Sequence, residues 1–429
     1  MRKICEIKER LGDGFYDDKL AWLYCVGKEE LAPFKERLNH VMEGFKAEFG
    51  KGDDDEAAIF SAPGRTELGG NHTDHQRGKV LTGSVDLDAL ACAAHNGTSK
   101  INVFSEGYGM ISIDCGSMAP REEEKDGTAA LIRGVAAGAA DKGFDIGGFD
   151  AYVISSVPGG SGLSSSACFE VLLGAVVNGL FCGGSLRKDE IAKIGQRAEN
   201  VYFGKPSGLL DQMGCAMGGI VTIDFEDKDK PKYRALSVDF SDYALCIIDT
   251  GADHADLTGD YAAVPAEMKA AAAVFGKDVL REVPEDEFYA NIPKVREIAG
   301  DRAVLRAIHY YDDSNRVDRQ VEALENGDFA GFLDLVNASG RSSFMYLQNV
   351  ATYKDPKSQP VAVALAVAGH CLGGRGAFRV HGGGFAGTIQ AFVPTDMVEG
   401  FRSSMDALLG DGACRVTRIR PEGCLCLAD

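Results

Sequence analysis

The chain has no surplus of basic residues. Its 429 residues include 45 Lys and Arg against 64 Asp and Glu, a net charge of −19. Nucleic acid and anionic membrane are held by clustered positive charge, so neither is an expected partner. A small anionic ligand stays open if a few arginines are placed locally. The chain also has no Cys-x-x-Cys: its 12 cysteines are scattered from Cys5 to Cys426, and Cys424 and Cys426 are too close together for a usual zinc site. They read as small core residues in a reducing cytoplasm. The opening MRKICEIKER lacks the apolar centre of a secretory signal. The longest apolar run, FEVLLGAVVNGLF at 169–181, is too short to span a bilayer. There is no internal repeat, no low-complexity linker and no GxxxxGK[ST] loop.

What is present is ordinary globular material, 45% hydrophobic and 25% charged, enough for one large domain or two joined intimately. The DDDE run at 53–56 reads as a solvated loop. Leu31, Phe34, Leu38, Val41, Phe45 and Phe49 recur at steps of three and four, which predicts helix over 17–50 with Gly50 ending it. Strands are expected at 57–61, 79–94, 101–105, 110–114 and 152–157, and a helix at 128–143. Beyond residue 215 the pattern gives strands in GIVTIDF, RALSVDF and YALCIID, two or three helices over 260–350, then GAFRV and TIQAFV around a triple glycine. A helix at 397–409 and the strand CRVTRI close an α+β arrangement. The expected division is a helical extension at 1–50, an N-terminal domain at 51–235 and a C-terminal domain at 236–429, with a cleft between the last two.

Three polar clusters carry the chemistry. SSVPGGSGLSSSACFEVLLG (155–174) places glycines and serines directly before an apolar helix. Glycine lets backbone approach a ligand, and a helix start offers free N–H groups to an anion, so the loop suits a phosphate; a flexible turn with a helix cap is the plainer reading. HGGGFAG (381–387) contains GxGxxG, but strand-like TIQAFV follows where a dinucleotide fingerprint needs a helix, so a glycine hairpin passing close to the first loop fits better. In RAENVYFGKPSGLLDQMG (197–214), Glu199 and Asp211 are candidates for holding a metal and touching an acceptor hydroxyl; Asp211 as a helix cap is the alternative.

A fourth stretch, SAPGRTELGGNHTDHQRGKVL (61–81), completes the set. The order PGRxxxxGxHTDxxxGxVL, PxxxGLSSSA, GGGFxG resembles the galactokinase branch of the GHMP small-molecule kinases, over about residues 57–415. GLLDQ at 208–212 and FRVHGGGF with Arg379 agree with it. The resemblance implies a two-domain GHMP kinase fold, with a mixed-sheet N-terminal domain, an α/β C-terminal domain and the active site in the cleft between them. It implies an enzyme transferring phosphate from ATP to the anomeric hydroxyl of a sugar. Carried over by position, Gly160, Ser161, Gly162, Leu163, Ser164, Ser165 and Ser166 wrap the triphosphate, and Ser166 and Glu199 hold Mg²⁺. Asp211 and Arg65 flank the anomeric hydroxyl, Asn71, His72, Asp74 and Tyr261 face the other hydroxyls, and Gly208 backs the ring. The implied partners are sugar and ATP, on a monomer or weak homo-oligomer. A non-catalytic sugar and ATP sensor is the second class; the intact Ser165-Ser166-Ala167, Arg65 and Asp211 favour the enzyme.

The chain departs from the family's GRVNLIGEHTDY at several positions. Glu67 stands where the family has Asn, Asn71 where it has Glu, and His75 where it has Tyr. Ala386 and Thr388 replace a Gly and a Cys, with little expected effect. In the family the glutamate contacts the sugar's C6 hydroxyl. Asn71 either keeps that contact, since an amide donates and accepts, or relaxes C6 discrimination toward galacturonate. Plant galacturonokinases also lack the glutamate and carry the DHQ found at 74–76. His75 reads as a ligand contact or as a packing residue.

Overall fold

A computed structural model of the chain describes all residues except Gly160, Ser161, Pro206, Lys228, Asp229, Asp239, Ser241 and 253–256. The expected phosphate-loop positions Gly160 and Ser161 therefore lie outside the described residues. The main structure is a nine-stranded mixed sheet among these residues. At its centre strand Glu56–Gly69 runs antiparallel to Lys79–His95. The second of these pairs along one half with Phe149–Ser155 and along the other with Ile220–Asp224. Lys100–Ser105 joins parallel to Phe149–Ser155.

Glu56–Gly69 is buried on both faces, and its side chains divide with the period of two that a strand imposes. Ala57 and Ile59 face the N-terminal helices, while Ala58, Phe60 and Ala62 face the apolar helix Ser165–Phe181. The quoted polar stretch begins inside this strand. The pairing slips register between Pro63 and Arg65 and again between Glu67 and Gly69. Such slips re-aim side chains next to a site.

The single helix predicted for 17–50 is broken. Asp17–Tyr24 stops at Cys25, whose φ of 53° is left-handed, and Ala32–Phe49 starts again with Pro33 in its first turn. A further helix, Ile4–Gly12, precedes them. Their apolar faces (Ile4, Leu20, Leu38, Val41, Phe45) pack on Ile59, Leu90, Tyr152 and Ile154 of the sheet. Beneath them the buried Asp88 carboxylate pairs with Arg37 at 2.8 Å and Arg420 at 2.9 Å, and accepts hydrogen bonds from Tyr24 and Ser61.

The second sheet is antiparallel, in the order Ala377–Val380, Thr388–Pro394, Tyr243–Asp249, Cys414–Thr417. Five α-helices rather than two or three fill 258–342, because Gly300 and Pro284 start new helices where the sequence pattern runs on. Helix Pro360–Leu372 has no counterpart in that pattern, since it is apolar on all sides and shows no period. The tail does not stay with this half: Leu425–Ala428 pairs with Glu56–Gly69 in the first sheet. Among the described residues no helix is long and apolar enough to cross a membrane.

Candidate active site

Arg65 leaves the central strand at the first register slip, and its guanidinium reaches Asp211, in the first turn of helix Leu210–Met217. Nε and Nη2 both donate to Asp211 Oδ1, at 2.9 and 2.6 Å, and Nη1 donates to the Gly162 carbonyl at 2.5 Å. The Ser164 hydroxyl donates to Asp211 Oδ2 at 2.6 Å. Ser164 occupies the N-cap position of helix Ser165–Phe181 with a left-handed φ of 58°, but its side chain makes no cap hydrogen bond. The expected serine cap is thus diverted to Asp211, which leaves the helix's first N–H groups to an anion. Desolvation pushes the Asp211 carboxyl up, and the Arg65 charge with the Ser164 and Arg65 hydrogen bonds more than reverses it, so Asp211 titrates below the usual carboxylate range. Arg65 is nearly sealed, whereas 41% of the Asp211 side chain stays exposed. The carboxylate is held ionised and open to a ligand.

The glycine hairpin packs under the glycine–serine loop, as the sequence suggested. A Cβ on Gly162, whose φ is +71°, would lie 2.8 Å from Thr388 Oγ1 and 2.9 Å from His381 Nδ1. Thr388 therefore matters more than expected: it hydrogen-bonds His381 at 3.0 Å and forms the floor of the loop. Gln390 and His381 also reach Thr66, so the strand after Arg65 is fastened to the second sheet.

At the turn of the hairpin the structure gathers the other residues carried over from the family. His72 Nε2 donates to the Gly383 carbonyl at 3.0 Å from a left-handed backbone, φ 60°. Burial and the neighbouring His75 push its pKa down to about 3, so the ring is neutral. The His75 ring lies 6.0 Å from it, and its backbone N–H donates to Asp74 Oδ1. Tyr261 donates to the Gly384 carbonyl at 2.7 Å and meets Phe385 edge-on. Asp74 rests against Gly208, where a Cβ would come within 2.1 Å of its carboxylate; any other residue there would displace Asp74.

Asn71 is placed differently from the expectation of a sugar contact. It is fully buried, and its carboxamide is saturated. Nδ2 donates to Glu67 Oε1 at 3.0 Å and to the Gly382 carbonyl at 2.7 Å; Oδ1 accepts from Asn349 at 2.9 Å and Ser343 at 3.2 Å. Glu67 is paired with the buried Arg379 at 2.5 Å. Asn71 joins the two halves of the molecule and has no capacity left for a hydroxyl.

Glu199 lies in the π-helical turn Ala198–Phe203, buried, with Oε1 taken by Lys205 Nζ at 2.7 Å and Oε2 by Gln212 Nε2 at 3.0 Å. The same Gln212 nitrogen donates to Glu170 at 2.9 Å. Burial, then the charge of Glu199, pushes the Glu170 carboxyl up to about 9. Sequence reasoning missed Glu170, Gln212 and Lys205. Two signals were available: Glu170 falls one turn after Ser166 on the same helix, and Gln212 adjoins Asp211. Ser166 is exposed at the helix start. No group of three or more His, Cys, Asp or Glu side chains suited to a metal occurs among the described residues. Glu199 and Ser166 carry side-chain oxygens of the kind that hold Mg²⁺, which commonly takes one or two protein oxygens together with substrate phosphates.

A carboxylate pinned by an arginine beside a glycine–serine loop, on this pair of sheets, defines a GHMP-type small-molecule kinase. The GHMP kinase N-terminal domain matches residues 130–219, and the galactokinase galactose-binding signature matches 43–95. A galactokinase of Streptomyces coelicolor is 30% identical over 84% of this chain and 91% of its own length. One from Clostridium tetani is 29% identical over 86% and 91%. The crystal structure of Lactococcus lactis galactokinase complexed with galactose superposes with a TM-score of 0.78 at 27% identity, covering 91% of this chain and 100% of that one. A mevalonate kinase at 16% identity and a TM-score of 0.58 shares the fold. The chain belongs to the galactokinase family.

Proposed function

We propose that the chain transfers the γ-phosphoryl group of ATP to the anomeric hydroxyl of galactose, giving galactose 1-phosphate and ADP. The observation that carries this reading is the Arg65–Asp211 pair, with Ser164 of the phosphate loop on the other carboxylate oxygen. Phosphoryl transfer depends on alignment and on neutralising charge. Asp211, ionised and partly open, orients the sugar hydroxyl and accepts its proton. Arg65 keeps Asp211 ionised and offsets charge gathering on the transferred group. Asp74, held against Gly208, accepts from neighbouring sugar hydroxyls, and His72 and Tyr261 wall the sugar from the hairpin side. Glu199 and Ser166 are the residues that would hold Mg²⁺, which when bound would neutralise the triphosphate. The reaction is assigned to the cleft between segments 51–235 and 236–429 of a cytoplasmic protein, monomeric or weakly associating.

One observation favours a second reading on substrate. Position 71 offers neither a carboxylate nor a free amide, so nothing there repels a C6 carboxylate. Galacturonate is the alternative acceptor.

An ADP-release assay with Mg-ATP on galactose, glucose, N-acetylgalactosamine, galacturonate and arabinose tests both. Turnover on galactose is expected. Turnover chiefly on galacturonate, lost in the Glu67→Asn, Asn71→Glu double variant while ATP binding is retained, would establish the alternative. Binding of ATP and sugar without turnover would mark a sensor. Asp211→Ala is expected to lower kcat by at least about 10³-fold with ATP binding retained.

A further inference from the structure

The phosphate loop contains no lysine, so cations for the triphosphate must come from elsewhere in the fold. Arg65 is already committed, to Asp211 through two nitrogens and to the Gly162 carbonyl through the third. Lys205 is a second cation close to the site. It stands in the segment between Glu199 and Asp211, directly after the π-helical turn, and its backbone N–H donates to the Glu199 carbonyl at 3.1 Å. Its ammonium sits 2.7 Å from Glu199 Oε1. The two side chains are unequally exposed: 5% for Glu199 and 58% for Lys205. Lys205 thus covers a buried carboxylate from the solvent side. The inner oxygen of Glu199 is fixed by Gln212, which Glu170 holds in turn. The outer oxygen is the one that bears the ammonium, so a metal binding there competes with Lys205.

We propose that Lys205 is a nucleotide-binding residue of this kinase: it neutralises Glu199 when no divalent cation is bound, and transfers its ammonium to the phosphates of ATP when a cation takes that carboxylate. The proposal rests on the kinase reading above. It follows from charge and place. An ammonium and Mg²⁺ cannot both occupy Glu199 Oε1, and the ammonium so displaced remains beside the cleft that Asp211 and the phosphate loop define. A lysine acts on phosphate as a mobile point charge, which suits a group that changes partners. The proposal makes the metal and the lysine competitors at Glu199 and co-operators on the triphosphate.

Equilibrium binding separates these effects without turnover. ATP and AMP binding are measured by calorimetry in saturating Mg²⁺ without sugar on wild type, Lys205→Met and Lys205→Arg, with thermal melts as a folding control for this exposed position. Mn²⁺ binding to the nucleotide-free proteins is followed by its paramagnetic signal. Lys205→Met is expected to weaken ATP by about tenfold, the scale of one charge-assisted phosphate contact, while AMP is unchanged and Lys205→Arg retains most of the affinity. Mn²⁺ is expected to bind Lys205→Met more tightly than wild type, since its competitor is gone. Unchanged ATP affinity in Lys205→Met, or an equal loss for AMP, would overturn the proposal. Galactose-dependent ADP release by the wild type, run in parallel, tests the kinase reading itself, so the two fail separately.

Discussion

The Asn71 carboxamide and the Glu67 carboxylate meet at 3.0 Å, and the Arg379 guanidinium converges on the same carboxylate oxygen. The family pattern has Asn at position 67 and Glu at 71, so this chain carries the two side chains exchanged, and the structure places them in contact. The exchange leaves one buried negative charge facing Arg379.

The exchange is therefore expected to be coupled. Asn71→Glu alone sets two carboxylates against one guanidinium in a sealed site and should cost about 3–5 kcal/mol, the scale of an uncompensated buried charge. Adding Glu67→Asn restores a single carboxylate within reach of Arg379 and should recover at least half of that loss. Denaturant unfolding of the four proteins in a double-mutant cycle measures the coupling. Strict additivity would show that the pair does not share Arg379.

Arg65→Lys is expected to lower kcat by about 10²–10³-fold. A lysine is a point charge and cannot hold Asp211 and the Gly162 carbonyl together as the guanidinium does. The KM for sugar should move less than the KM for ATP, because the lost contact to Gly162 lies in the phosphate loop. Steady-state kinetics varying each substrate in turn decide this; an unchanged KM for ATP would detach Arg65 from the loop.

Stability is expected to fall as pH drops below about 6.5, the ordinary histidine value. Three histidines are held neutral: His72, whose pKa burial and His75 push down to about 3, and the fully buried His309 and His381. Burial lowers the pKa of His309, which bonds the Asn71 carbonyl and Ser342, and lowers that of His381 further, with Arg65 and Arg379 adding to it. Above this pH all three rings are neutral folded or unfolded. Below it the unfolded chain takes up protons that the folded chain refuses, which favours unfolding by up to about 1.4 kcal/mol per pH unit for each histidine. Thermal melts between pH 7 and 5 follow the loss, and His381→Asn should flatten the slope over that range. An equal slope in the variant would mean that His381 titrates normally when folded.

Deleting residues 1–50 is expected to leave no soluble folded protein. The helices in that segment cover Ile59, Leu90 and Ile154 of the central sheet, and Arg37 and Tyr24 supply two partners of the buried Asp88. Arg420→Ala, which leaves Asp88 short of a charge, should destabilise by about 3–5 kcal/mol without altering the KM for sugar. Soluble expression of the truncated chain with near-native melting would show the segment to be an appendage.

Much of the site was legible because its signals are local. Glycine and serine before an apolar run mark a loop opening a helix, and Ser165–Phe181 follows the loop as expected. The strand-like residues after HGGGFAG fixed a hairpin in place of a dinucleotide fold. The break at Cys25 was not legible, since the apolar period continues on either side of it, nor was helix Pro360–Leu372, which is apolar on every face. The partners of Asn71 were hidden for another reason: Asn349, Ser343 and Gly382 lie more than 270 residues along the chain.

By itself the sequence determined the family, through the order of its motifs, the first part of the strand that leads to Arg65 and the helix that follows the glycine–serine loop, because backbone conformation at glycine, serine and alternating apolar residues is set by near neighbours. Only the tertiary structure decided that Ser164 serves Asp211 and not the helix end, that Asn71 is sealed between the halves, and that Lys205 guards Glu199. Those outcomes depend on which distant groups compete for the same hydrogen-bonding atom once water is excluded, and only the packed chain brings the competitors together.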